Sequence, residues 1–215
     1  MTPRSSGLPL VSLYSGAGGM DYGFEAAGFE VRAALEMDAD ACETMRLNGV
    51  KGIIDEPIEE VTSKRLLKTA GCRRREVAAL IGGPPCQPFS KSGYWSRGDT
   101  LRLADPRART LDEFMRCVED LLPQVFVIEN VYGIGYEGKA EGLELIERLT
   151  SDINARQKTK YRLARKVLNA AAFGVPQLRE RFFLVAHRDG GLFEFPHPTH
   201  RVADVAPSTL LPEDG

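Results

Sequence analysis

The feature that most restricts the fold of this chain is an apolar segment near its start that runs into a glycine-rich turn and then a helix. Leu8–Tyr14 is a strand candidate, Ser-Gly-Ala-Gly-Gly follows it, and Met20–Ala27 has apolar residues at helical spacing. Phe29–Leu35 and Asp40–Leu47 then repeat the strand and the helix. This order predicts a βαβ unit, in which the two strands are parallel.

The same alternation continues to about residue 187. Strands are expected at Gly52–Ile54, Val77–Ile81, Val125–Ile128, Arg165–Asn169 and Arg181–His187, and helices at Ser63–Ala70, Thr110–Leu122 and Gly142–Gln157. Strands and helices that alternate in this way predict an α/β fold with a doubly wound, mostly parallel sheet of the Rossmann type. We expect one domain over residues 1–200 and a C-terminal tail over 201–215.

Composition excludes several classes of protein. No apolar run reaches the roughly 18 to 20 residues that a membrane span needs, and the first nine residues lack the apolar centre of a secretory signal. We therefore expect a cytoplasmic protein that has no membrane partner. The four cysteines are widely spaced, which favours neither a metal site nor a disulfide. A net charge of −2 means that any site for a polyanion must be local.

The glycine turn is a candidate cofactor site. Gly16 and Gly18 follow a strand and open a helix, which lets a ligand approach backbone amides. Glu36 ends the next predicted strand, where a nucleotide-binding fold places the carboxylate that accepts the ribose hydroxyls. Tyr22 stands where a dinucleotide fingerprint would have its third glycine, so the pattern favours S-adenosylmethionine over NAD. The alternative is a purely structural turn.

A second candidate site is the run Gly-Gly-Pro-Pro-Cys-Gln-Pro-Phe-Ser over Gly82–Ser90. Pro84 and Pro85 prevent the preceding strand from continuing, so Cys86 is expected on a loop at the carboxyl end of that strand. Ligands bind at this edge of an open α/β sheet. The cysteine is thus a candidate nucleophile, and the alternative is an inert cysteine in an ordinary turn.

Four segments together resemble the cytosine-5 DNA methyltransferases. They are Ser12–Gly19, Gly82–Ser90, Glu129–Val131 and Gln177–Arg181, and they occur in the order typical of that family. The resemblance covers Leu10 to about His200, and it implies the fold of S-adenosylmethionine-dependent methyltransferases. It also implies that nine positions surround the cofactor. These are Tyr14, Gly16, Gly18, Glu36, Met37, Asp55, Ile58, Pro85 and Leu111.

The chemistry of the reaction explains why these residue types occur. Carbon 5 of cytosine becomes nucleophilic once a thiolate adds to carbon 6, and Cys86 is the candidate for this step. Glu129, after the strand Val125–Ile128, would carry a proton to ring nitrogen 3. Arg181 would donate to the exocyclic oxygen of the base, while Arg179 braces the site. Each residue could instead have a structural role.

Double-stranded DNA is the expected substrate. The enzyme must turn its target base out of the stack, and the polar loop after Cys86 would hold the displaced nucleotide. Ser90, Lys91 and Arg97 on this loop could reach phosphates.

The chain departs from the family pattern in single residues and in length. Ser12 stands where the first strand often has an aspartate, a departure that is tolerable, and the chain ends before a target-recognition domain and a final motif. We therefore expect a complementing subunit or C-terminal half that supplies them. Two alternatives remain open: a non-catalytic module that binds the cofactor or DNA, and a methyltransferase that acts on tRNA cytosine.

Overall fold

The computed structural model describes residues 7–85, 109–131 and 141–201. The described strands are β1 (Leu8–Leu13), β2 (Phe29–Glu36), β3 (Ile53–Asp55), β4 (Ala79–Gly82), β5 (Val125–Val131), β6 (Arg162–Asn169) and β7 (Glu180–His187). The described helices are α1 (Gly19–Ala26), α2 (Ala39–Leu47), α3 (Ser63–Ala70), α4 (Arg109–Leu121) and α5 (Glu141–Gln157). Short 3-10 helices span Ile58–Glu60 and Ala170–Phe173.

The strands form one sheet in the order β3-β2-β1-β4-β5-β7-β6. The first five strands pair in parallel, and β7 runs antiparallel between β5 and β6. This confirms the predicted doubly wound, mostly parallel sheet.

Strand β5 is longer than predicted. The sequence indicates a strand that ends at Ile128, but pairing with β7 continues through Glu129, Asn130 and Val131. Because β7 supplies hydrogen-bond partners along this whole stretch, the strand continues beyond the end that the sequence indicates. Glu129 therefore lies within the strand, opposite Phe183.

Two hydrophobic clusters cover the two faces of the sheet. Side chains from α1 and α2, such as Phe24 and Met45, pack with Leu10 and Ile81 on one face. Helices α3, α4 and α5 pack on the other face, where Phe114 is fully buried. Alternate residues of each strand point to opposite faces. Because both faces are covered, the strands consist of nearly continuous apolar residues.

Local signals fix where the helices begin and end. Asp38 accepts a hydrogen bond from the Ala41 amide at 2.8 Å and so caps α2, and the Thr62 side chain accepts one from the Arg65 amide at the start of α3. Gly71 ends α3 in the left-handed conformation. Among the described helices, none has the length and apolar character to cross a membrane.

Candidate functional site

The candidate site lies at the carboxyl edge of the sheet, where the chain order reverses. Strand β1 sits between β2 and β4, so the loops that leave β1 and β4 diverge from a common crevice. Open α/β sheets bind their ligands at such a point. The glycine turn follows β1, and Gly83–Pro85 follow β4.

The backbone of the glycine turn is tightly folded. Tyr14 has a φ of 54°, which is uncommon for a residue with a side chain, and Gly16 and Gly18 have φ values of 54° and 82°. The Tyr14 hydroxyl donates to the Thr110 carbonyl oxygen at 3.0 Å, which ties the turn to α4. Burial raises the pKa of this hydroxyl, so it remains a donor. Strained residues that are held in this way are common at ligand sites.

The carboxylate of Glu36 is fixed by backbone amides. Its Oε2 accepts from the Gly16 amide at 2.8 Å, and its Oε1 accepts from the amides of Met37 and Asp38 at 2.8 and 2.9 Å. A carboxylate has about four acceptor positions, so these three hydrogen bonds leave one for a ligand. The contact of Glu36 with the ribose hydroxyls stays a prediction.

A first cavity of about 310 Å³ lies beside Glu36. Five of the residues predicted to surround the cofactor line it, namely Tyr14, Glu36, Met37, Ile58 and Pro85. Three glutamates, Glu36, Glu56 and Glu59, line it together with apolar side chains, and its volume is in the range of small-molecule sites. We refer to it as the nucleoside cavity.

Other predicted cofactor residues do not line the nucleoside cavity. Asp55 lies at an exposed position and accepts from Arg46 Nη2 at 2.9 Å, and this contact holds the pKa of Asp55 below its usual range. Leu111 is 3% exposed and packs in the core, so its helical neighbour Thr110 lines the cavity instead. Gly16 and Gly18 shape the turn without lining the cavity themselves.

A second cavity of about 550 Å³ adjoins the first. Glu129, Arg179 and Arg181 all line it, as do the apolar side chains of Phe173 and Phe183. Tyr14 and Gly83 line both cavities, so the two meet there. We refer to this second cavity as the base cavity.

In the base cavity, Glu129 and Arg181 form an ion pair. Arg181 Nε lies 2.9 Å from Glu129 Oε1, and both side chains are about one-quarter exposed. The sequence did not predict this ion pair, and the roles that it indicated for Arg181 at the ligand and for Arg179 as a brace stay predictions. Arg179 is exposed, and its side chain makes no ion pair within the described ranges. Its backbone amide donates to Asn169 at 3.3 Å.

The chain that leads to Cys86 is anchored at both prolines. Asn130 is 4% exposed and donates through Nδ2 to the Pro84 carbonyl oxygen at 3.0 Å. Thr110 donates to the Pro85 carbonyl oxygen at 3.1 Å. Four predicted residues, Cys86, Ser90, Lys91 and Arg97, lie outside the described residues.

Gly83 and Asp21 are among the lining residues that were not identified from the sequence. Gly83 allows the Glu129 carboxylate to lie close to the backbone, because a β-carbon at this position would be 3.1 Å from Glu129 Oε2. Asp21 is 3% exposed and accepts from the Ser12 hydroxyl at 2.6 Å. An acidic residue in the first turn of a helix is usually interpreted as a solvent-exposed contribution to the helix N-terminus. The sequence signal that could have pointed to this pair is Ser12, which stands where the first strand often has an aspartate.

None of the three cysteines in the described part of the chain lines either cavity. Cys42 and Cys117 are fully buried, and burial raises their pKa values to about 11 and about 12. Cys72 is partly buried against the core. Within the described ranges, no group of three His, Cys, Asp or Glu side chains could hold a metal ion.

Comparison with known proteins identifies the class. Residues 8–209 match the family described as C-5 cytosine-specific DNA methylase. The fold is shared with the Dnmt2 methyltransferase of S. pombe, with a TM-score of 0.66 over 87% of this chain and 53% of that chain, at 24% identity. This chain belongs to the C-5 cytosine-specific DNA methylase family.

Individual relatives are bacterial type II methyltransferases. M.AquIA from Picosynechococcus sp. is 44% identical over 200 residues, a match that covers 92% of this chain and 79% of the relative. M.SacI from Streptomyces achromogenes is 36% identical over 207 residues, which covers 90% of this chain and 51% of the relative. The chain thus spans most of the first relative and about half of the second.

Proposed function

We propose that this chain is the catalytic domain of an enzyme that transfers a methyl group from S-adenosylmethionine to carbon 5 of cytosine in double-stranded DNA. The junction of the nucleoside and base cavities at Tyr14 and Gly83 is the observation that carries this proposal. It would bring a nucleoside cofactor and a base into adjacent positions. Membership of the family supports cytosine as the base.

In the proposed reaction Cys86 is the nucleophile. Its thiolate adds to carbon 6, and the displaced electron pair makes carbon 5 an enamine carbon. When bound, S-adenosylmethionine would supply the methyl group for carbon 5 by breaking its sulfur–methyl bond, and would leave as S-adenosylhomocysteine. Loss of the carbon 5 proton then expels the thiolate and restores the aromatic ring. The anchored carbonyls of Pro84 and Pro85 support this role, because they fix the chain immediately before Cys86.

Glu129 and Arg181 would stabilise the charge that enters the ring. Arg181 occupies Oε1 of Glu129, so Oε2 on the Gly83 side is the oxygen that would carry a proton to ring nitrogen 3. Arg181 also donates through Nη1 to the Glu180 carbonyl oxygen at 2.8 Å. The guanidinium remains charged throughout, and its other nitrogen would donate to the exocyclic oxygen of the base.

DNA binding would involve the segment after Cys86. We propose that Ser90, Lys91 and Arg97 contact phosphates around an extruded cytosine. The relatives are type II methyltransferases, which supports a role in restriction and modification. Such an enzyme would act in the cytoplasm, at the nucleoid of a bacterial cell.

A complementing subunit or C-terminal half would complete the site. The chain spans 51% of M.SacI, and the additional length of such relatives is the proposed source of target recognition. Exposed apolar side chains at both cavities support this idea. Met37 borders the nucleoside cavity and is 69% exposed, while Val175 borders the base cavity and is 45% exposed.

Covalent trapping tests the proposal. The chain would be combined with the product of the neighbouring reading frame, or prepared as the longer in-frame protein, and incubated with duplex DNA that contains 5-fluorocytosine. Fluorine prevents the proton loss that releases the thiolate, so we expect an adduct that survives denaturing electrophoresis and requires S-adenosylmethionine. Duplex DNA with ordinary cytosine is the control.

The other outcomes separate the alternatives. An adduct that forms on tRNA containing 5-fluorocytosine but not on DNA would show that the substrate is tRNA and not DNA. Binding of S-adenosylmethionine or DNA without any adduct would favour a non-catalytic module.

Gly83→Ala tests the proposed place of Glu129. The added methyl group would lie 3.1 Å from Oε2 and displace the carboxylate, whereas the unfolding midpoint should change little. We expect the rate of adduct formation to fall on the order of tenfold, a loss of about 1.4 kcal/mol of transition-state stabilisation. Gly23→Ala is the matched control, because a β-carbon there meets nothing within 4 Å. An unchanged rate for Gly83→Ala would contradict the role given to Oε2.

A further inference from the structure

A buried carboxylate without a counter-charge lies at the floor of the base cavity. Asp21 lines this cavity although the residue is only 3% exposed. Its Oδ1 accepts from the Ser12 hydroxyl at 2.6 Å, whereas its Oδ2 is buried with no hydrogen-bond partner within the described chain. Unpartnered buried carboxylate oxygens are costly, so this one needs an explanation.

The surroundings of Asp21 do not neutralise it. Ser15 donates to the Ser12 hydroxyl oxygen at 2.9 Å, so the proton of Ser12 is directed to Asp21 and both hydroxyls are used. Burial raises the pKa of Asp21, and the charged side chain that adds to this effect is Glu25, which is itself acidic. Among the described residues no cation forms an ion pair with Asp21.

The position of Asp21 relates it to the glycine turn. It lies in the first turn of α1, and a β-carbon placed at Gly18 would be 3.8 Å from Asp21 Oδ2. The carboxylate is therefore beside the glycine turn and in the lining of the base cavity, which meets the nucleoside cavity at Tyr14 and Gly83. A ligand that extends from the nucleoside cavity into the base cavity would reach the wall to which Asp21 belongs.

We infer that Asp21 provides the negative charge that attracts the ammonium group of the amino-acid end of the cofactor. This inference rests on the proposed function, because it takes S-adenosylmethionine as the ligand. The charge acts from beneath the cavity floor, where low water content weakens screening. Ser12 holds the carboxylate in place through its hydrogen bond to Oδ1.

The test compares three ligands with Asp21→Asn by calorimetric binding. S-adenosylmethionine and S-adenosylhomocysteine both carry the ammonium group, whereas 5′-methylthioadenosine keeps the nucleoside and the sulfur without it. Loss of one charge contact should weaken binding of the first two on the order of tenfold and leave the third unchanged. Glu25→Gln removes the same charge from an exposed position of α1 and should leave all three affinities unchanged.

Each remaining outcome has a distinct meaning. Equal weakening of all three ligands in Asp21→Asn would mean that the residue only shapes the glycine turn, which overturns the inference. Weakening of S-adenosylmethionine alone would assign the charge to the sulfonium and also overturns it, as would three unchanged affinities. If the unaltered protein with its complementing part binds none of the ligands, the proposed function itself fails. A thermal midpoint for each variant checks that it is folded.

Discussion

The Cys86→Ala variant is expected to form no covalent adduct with 5-fluorocytosine DNA and to lose methyl transfer by about 10⁴-fold or more, as for removal of other essential nucleophiles. Alanine has no atom that can add to carbon 6, so the enamine at carbon 5 cannot form. Affinity for S-adenosylmethionine should change little, because the substitution leaves Tyr14, Glu36 and the other described residues of the nucleoside cavity unaltered. The measurements are adduct yield on denaturing gels and cofactor affinity by calorimetry.

A matched cysteine variant makes this experiment specific. Cys72 is a free cysteine that is neither fully buried nor part of either cavity, so Cys72→Ala should trap DNA at the normal rate. Cys42 and Cys117 are poor rivals, since burial raises the pKa of each thiol well above neutral. Persistent trapping in Cys86→Ala would assign the nucleophile to another residue.

The helices and parallel strands could be predicted because their signals are local. Ser63–Ala70 has the expected bounds, since Thr62 caps its start and Gly71 ends it. The length of strand β5 was underestimated because its last residues depend on antiparallel pairing with residues of β7 that lie 50 to 54 positions later in the chain. A Glu-Asn pair looks like a turn until the partner strand is known.

The sequence predicted which residue types lie at the candidate site, but it did not predict the contacts between their side chains. Glu129 and Arg181 reach one cavity, but their mutual ion pair depends on neighbouring strands and had no sequence signal. Thr110 lines the nucleoside cavity in place of Leu111, because adjacent residues of a helix point about 100° apart and only packing sets the rotation. The contact of Ser12 with Asp21 likewise arises from the tertiary structure.

Of the two glycines that precede β3, Gly52 is expected to cost more stability than Gly49 when it is replaced by alanine. Gly52 has a φ of 70°, and a β-carbon there would lie 2.2 Å from the Arg32 carbonyl oxygen. That atom belongs to the backbone of β2 and cannot rotate away, so the strands must separate. We expect a loss of about 3 to 5 kcal/mol in the free energy of unfolding, measured by urea denaturation.

Gly49→Ala separates the clash from the backbone strain. Gly49 also has a positive φ, 79°, but a β-carbon there meets nothing within 4 Å, so its replacement should cost only about 1 kcal/mol. The difference between the variants then measures the contact with Arg32. This contact matters for function because β3 pairs with the end of β2, where Glu36 lies opposite Asp55. Gly52→Ala should therefore also weaken cofactor binding, and equal losses of stability for both variants would contradict the clash.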